Sequence, residues 1–128
     1  MWILKDNCDI VNHMKEQKTN INYEDFSKID IRVGTITNAE KVEKSEKLLK
    51  LEVDFGELGK RQILTGMAMW YQPEGLIGMQ TTFVINLEPR KMMGMESQGM
   101  IFAVGLSDDK KPTFLLPKEP IENGDGAR

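Results

Sequence analysis

Residues 49–55 read Leu49-Lys50-Leu51-Glu52-Val53-Asp54-Phe55, with apolar and charged side chains alternating at every step. A period of two sends successive side chains to opposite faces of an extended chain. This stretch is therefore a half-buried strand that turns Leu49, Leu51, Val53 and Phe55 toward a core. The same alternation runs through Ile29, Ile31 and Val33, separated by Asp30 and Arg32, so a second antiparallel strand precedes it. Further along, residues 62–65, 81–87 and 99–104 read as short strands, and Met67 to Gln72, followed by Pro73-Glu74-Gly75-Leu76, reads as a brief helix. Five strands with one short helix between the third and the fourth is the plan of the OB-fold barrel, so the predicted fold class is mainly all-β. Glycines at 34, 56, 66, 78 and 99 stand where a small barrel bends its strands or a turn needs a positive φ.

Both ends depart from this pattern. In residues 1–22, Ile3, Leu4, Cys8, Val11 and Met14 recur at helical spacing before the polar run Glu16-Gln17-Lys18-Thr19-Asn20. This segment is either a frayed leader or a helix that buries its apolar stripe on a partner subunit, and the barrel domain is expected over 23–128. The C-terminal extension, from Leu106, carries a turn-like Ser107-Asp108-Asp109 and a short apolar run, Phe114-Leu115-Leu116, closed by Pro117.

At 128 residues the chain has room for one domain. Its net charge of −3 gives no general basic excess, so any polyanion it binds must be met by a local patch. A single Cys8 cannot form an internal disulfide, and the lone His13 cannot build a histidine metal cluster. No cofactor is expected. No apolar run approaches the roughly 18 residues of a membrane span, and Lys5, Asp6 and Asp9 interrupt the place of a signal peptide. A reducing, cytoplasmic location without membrane contact is the expectation.

The chemistry concentrates in Asn86-Leu87-Glu88-Pro89-Arg90-Lys91-Met92-Met93-Gly94-Met95-Glu96-Ser97-Gln98-Gly99-Met100. Pro89 stops the strand before it. Asn86, the adjacent cations Arg90 and Lys91, and the hydroxyl and amide of Ser97 and Gln98 then form a set of donors suited to an anionic, acceptor-rich ligand such as RNA. Each neutral member has a local alternative: Asn86 and Ser97 bonding their own turns, and Met100 starting a core strand. Lysines 41, 44, 47 and 50 alternate with Glu40, Glu43 and Glu46, the pattern of a solvated loop. The outward positions of the second strand, Lys50, Glu52 and Asp54, carry no aromatic ring, so base stacking on that face has no support.

Taken with Ile29-Asp30-Ile31-Arg32-Val33-Gly34, Lys47-Leu48-Leu49, Arg61-Gln62-Ile63, Thr65-Gly66 and Ile101-Phe102-Ala103, this segment resembles the tRNA-binding domain family, from about Phe26 to the C-terminus. That family comprises the module appended to methionyl-tRNA synthetases and its free-standing relatives. The resemblance implies the OB barrel and a non-catalytic, structure-specific tRNA-binding role. It implies tRNA contacts for Arg32, Asn86, Lys91, Ser97 and Met100, to which the reading of the loop adds Arg90 and Gln98. It further implies tRNA as partner, a homodimer, and association with an aminoacyl-tRNA synthetase catalytic chain. Where many relatives have a lysine after Gly34, this chain has Thr35. The rival readings are a CsaA-type export chaperone that binds unfolded polypeptide, and an assembly domain using some of the nine methionines. Chemistry of its own is not expected. Lys91-Met92-Met93-Gly94-Met95 lacks the second lysine of a class I synthetase loop and any His-x-Gly-His segment, and residues 56–60 lack the spacing of a phosphate loop.

Overall fold

The computed structural model describes residues 16–105 and 110–128. The expected N-terminal helix and the Ser107-Asp108-Asp109 turn therefore fall outside, or largely outside, the described residues.

After one helical turn, Tyr23–Phe26, capped by the Asn22 side chain on the Asp25 N–H, the chain enters the strands β1 (Ile31–Lys41), β2 (Leu49–Asp54), β3 (Lys60–Thr65) and β4 (Gln80–Val84). A hairpin follows, β5 (Arg90–Met92) and β6 (Met95–Ser97), then β7 (Met100–Ile101), β8 (Ala103–Val104), β9 (Thr113–Phe114) and β10 (Gly126–Ala127). The main sheet runs β3-β2-β1-β4-β7, with β10 added to β1. All its pairings are antiparallel.

β1 organises this sheet because it serves two neighbours in turn. Its first half pairs with β4, from Ile31↔Val84 to Thr35↔Gln80, and its second half pairs with β2, from Thr35↔Asp54 to Lys41↔Leu49. Strict alternation from buried Gly34 and Ile36 would turn Asn38 inward and Ala39 outward. A bulge between Ile36 and Asn38 inserts one residue, so that Ala39 is buried and Asn38 exposed. The bulge thus keeps an apolar face on the core while the strand curls between the two halves of an OB-like barrel.

The core holds the inward set that the alternation predicts for β2, Leu49, Leu51, Val53 and Phe55, joined by Ile36, Ile63 and Phe83, whereas Ile29 of the other alternating set stays 44% exposed. Phe55 and Phe83 meet edge to face at 5.4 Å across it. Gly34 is required by this packing. A Cβ there would stand 2.6 Å from Val53 Cγ1 and 2.7 Å from the Phe55 ring.

The barrel is completed by side chains. β3 has one strand neighbour, β2, and its other edge would leave backbone groups open. There the Gln98 side chain accepts from the Gln62 N–H at 2.9 Å, the Gln98 N–H donates to the Gln62 carbonyl at 2.8 Å, and the Ser97 hydroxyl accepts from the Leu64 N–H at 3.0 Å.

Some elements differ from expectation. The helix predicted over 67–72 is a turn, in which Trp70 and Tyr71 N–H groups both reach the Met67 carbonyl, followed by a 3₁₀ turn, Pro73–Gly75. Pro73 supplies no N–H to continue an α-helix. The fourth strand ends at Val84 rather than 87, as the Asn86 side chain takes over the pairing with the chain at Asp30. The fifth strand is split: Met100–Ile101 stays on β4, while Ala103–Val104 leaves to pair with Thr113–Phe114.

Candidate nucleic-acid interface

Two hydrogen-bond networks hold most of the predicted site residues. In the first, Asn86 accepts from the Asp30 N–H at 2.9 Å and donates to the Lys28 carbonyl. Asp30 in turn receives the Arg32 guanidinium, whose Nη1 also donates to the Gly124 carbonyl at 2.9 Å. The pKa of Arg32 is raised, first by its side-chain hydrogen bond to Asp30 and further by the charges of Asp30 and Asp125, against the opposing effect of burial. It remains a cation at any working pH. The second network joins Ser97 and Gln98 to β3. Arg61 Nη1 donates to the carbonyls of Ile85 and Gln98, the Gln62 side chain donates to the Glu96 carbonyl, and the Ser97 hydroxyl donates to the Gly99 carbonyl. Ile85 links the two networks, since its N–H donates to the Asp30 carbonyl while its own carbonyl receives Arg61.

The site residues accordingly divide. Arg32, Asn86, Ser97 and Gln98 bond to the protein itself, and Ser97 is only 3% exposed. Arg90, Lys91 and Met100 face outward. Neither Arg90 nor Lys91 has a side-chain hydrogen bond or an ion pair among the described residues. Both lie on β5, whose register sets Arg90 opposite Ser97 and Lys91 opposite Glu96. The buried Ser97 thus anchors one strand of the hairpin to the barrel while Arg90 and Lys91 are displayed on the other.

Below the hairpin opens a groove of about 330 Å³, lined by Leu64, Met67, Trp70, Met92, Met100 and Pro112 among others, with Arg90 on its rim. A smaller recess of about 120 Å³ adjoins it through Leu64, Arg90, Met92 and Met100. Arg61, Gln62 and Trp70 are the contributors without an assigned role in the sequence reading. Arg61 and Gln62 stood within a motif block, and Trp70 stood in a predicted helix with nothing to mark its environment.

The face of β1, β2 and β3 is of another kind. Its shallow pocket, about 260 Å³, is lined by residues that include Glu40, Lys50, Glu52 and Lys60. Lys50 pairs with Glu40 at 2.7 Å and Lys60 with Glu52 at 3.8 Å. Lys50 and Lys60 are thus matched by carboxylates, Arg61 bonds carbonyls instead, and no aromatic ring lines the pocket. Thr35 serves the C-terminal tail, donating to the Asn123 side chain at 2.8 Å. Among the described residues no three His, Cys, Asp or Glu side chains converge as a metal site, and no helix is long and apolar enough to cross a membrane.

Comparison with known proteins bears on this geometry. Residues 31–126 match the family model of a putative tRNA binding domain. The chain is 48% identical over 109 residues to methionine–tRNA ligase of Archaeoglobus fulgidus, a match covering 85% of this chain and 16% of that enzyme. It is 50% identical over 94 residues to the Helicobacter pylori enzyme, covering 73% and 14%. The chain thus spans about a sixth of the length of these relatives. Among solved structures, a MetRS-related protein from Pyrococcus horikoshii superposes with a TM-score of 0.80 at 36% identity, covering 87% of this chain and all of that one. The chaperone CsaA from Bacillus anthracis superposes at 0.77 and 33% identity, covering 86% of this chain and all of that one. With its barrel, its motif blocks in order and a family match over most of its length, the chain belongs to the tRNA-binding domain family.

Proposed function

We propose that this module binds folded tRNA without catalysing a reaction, and that it serves an aminoacyl-tRNA synthetase of the methionyl type in the cytoplasm. The observation that carries this reading is the hairpin 90–97, which holds Arg90 and Lys91 exposed and without ion pairs beside Met100, whereas Lys50 and Lys60 on the β1–β2–β3 face are paired with Glu40 and Glu52. Arg90 and Lys91 meet phosphates, and Met100 supplies an adaptable apolar contact. Arg32, Asn86, Ser97 and Gln98 shape and brace that surface, and the part-exposed Arg32 and exposed Asn86 keep N–H groups for the ligand. Few phosphates are engaged, so the intrinsic affinity is micromolar or weaker. Attachment to a synthetase raises the effective tRNA concentration enough to make such binding useful. A homodimer is part of the proposal, motivated by the exposed apolar side chains Phe102, Val104, Leu115 and Leu116 near the β8–β9 pair.

Filter binding of tRNA against a linear single strand of equal length tests the reading, since recognition by shape favours the folded molecule. Equal or tighter binding of the linear strand sinks it. The likeness to CsaA and the apolar groove favour a second reading, binding of unfolded polypeptide. Suppression of aggregation of a denatured client, abolished by Met100 or Met92 substitution in a protein that ignores tRNA, would give that reading the lead.

A further inference from the structure

We propose that the groove beneath the hairpin receives one unstacked base of the bound RNA, with Trp70 as its stacking platform. The inference rests on the tRNA reading above and adds to it a second mode of contact that the β1–β2–β3 face does not offer. The groove, about 330 Å³, presents an indole and the thioethers of Met67, Met92 and Met100. Rings and polarisable sulfur suit the π-face of a base whatever its identity. Its one charged lining residue is the cation Arg90; Lys91, next on the same strand, turns to the opposite face, and exposed Lys110 and Lys111 precede the lining residue Pro112 in the chain, with Lys111 Nζ 5.0 Å over the Tyr71 ring. Glu88, in the adjoining recess, and Glu96, opposite Lys91, are carboxylates on the hairpin side. A mainly apolar slot whose one charged lining residue is an arginine without an ion pair matches a nucleotide, whose base is flat and apolar on its faces and whose phosphates are anionic.

Two other occupants fit less well. A peptide bound as an added strand needs an open sheet edge, and the edge of β3 beside the groove is already satisfied by Ser97 and Gln98. A second copy of this chain needs roughly 800 Å² per partner for a stable interface, far more than a slot of this size covers.

The test uses Trp2→Phe, which leaves Trp70 as the only tryptophan of the chain. Unfractionated tRNA should quench Trp70 emission over the same concentrations at which filter binding saturates, whereas a blunt RNA duplex of equal length, whose bases are all stacked, should not. Trp70→Leu should lower tRNA affinity about tenfold with the salt slope unchanged, because stacking releases no counterions, and Trp70→Phe should restore most of the loss. The emission experiment needs no groove variant, so it decides even if Trp70→Leu fails to fold. If tRNA binds while Trp70 emission stays constant, the groove is not part of the interface; this inference falls and the tRNA reading stands. Equal quenching by the duplex also overturns it. If emission depends on protein concentration without RNA, and Trp70→Leu abolishes a dimer but leaves tRNA affinity intact, the groove belongs to a second copy instead. Absence of tRNA binding by the folded Trp2→Phe protein removes both readings together.

Discussion

Ser97 and Lys91 lie on facing strands of one hairpin and do different work. The Ser97 hydroxyl accepts from Leu64 N–H and donates to the Gly99 carbonyl, so Ser97→Ala leaves a buried donor and an acceptor unsatisfied. The expected loss is about 1–3 kcal/mol of folding stability, read as a lower urea midpoint. A midpoint unchanged in Ser97→Ala would show that water substitutes for the hydroxyl. Lys91→Glu should behave in the opposite way. Stability stays within about 0.5 kcal/mol, as for most surface changes. Binding of tRNA weakens on the order of 1–3 kcal/mol, with a shallower salt dependence. Lys44→Glu, flanked by Glu43 and close to Glu46, is the control and should cost less binding. Equal losses at several salt concentrations would mean that the hairpin is no specific site.

At the scale of the element, the hairpin is closed by Met93 at φ 53° and Gly94 at φ 78°. Such a two-residue turn matches the twist of paired strands and favours Asn-Gly, since an ordinary L side chain in the left-handed region costs roughly 1–2 kcal/mol. Met93 is the only non-glycine residue with positive φ among those described, and the residue is 54% exposed at the tip. Met93→Asn should therefore stabilise the hairpin by about 1 kcal/mol or less. Because a short two-stranded element opens locally, the gain should appear as slower amide exchange within residues 90–97 with little change in the global unfolding midpoint. Faster exchange there would show that the Met93 side chain holds the turn by contacts stronger than its backbone cost.

Over the whole molecule, the C-terminal tail acts as a clasp on β1. β10 pairs with Ile31 and Arg32, Asp125 accepts from the Val33 N–H, and Gly124 both donates to the Val33 carbonyl and accepts from Arg32. Asn123 bridges Thr35 and Gln80. Removing residues 121–128 takes away all of these bonds and leaves the Val33 N–H and carbonyl without these partners. At about 0.5–1.5 kcal/mol net for each bond, the loss should reach at least about 2 kcal/mol. For a domain of this size that is a fall of roughly 8 °C in melting temperature. Calorimetry of the shortened chain checks this, and an unchanged melting temperature would reduce the clasp to a passive cover.

Alternation of apolar and charged residues was enough to identify β2 and the first residues of β1 and to name Leu49, Leu51, Val53 and Phe55 as core, because a strand with one dry face imposes its period on the sequence; that β1 continues to Lys41, through residues 40 and 41 read as loop, was not legible. The ordered motif blocks were enough to name the family and the loop that carries Arg90 and Lys91. Of the bonds made by the neutral residues, only the local one from Ser97 to the Gly99 carbonyl was legible. Asn86, Ser97 and Gln98 are polar residues in a polar loop, and their partners lie 56, 33 and 36 residues away, at Asp30, Leu64 and Gln62. Contacts at such separations leave no local period to read. The bulge at Thr37, the clasp of the tail on β1 and the apolar groove around Trp70 arise in the same way. Each requires segments distant in the chain to meet, and only the closed barrel brings them together.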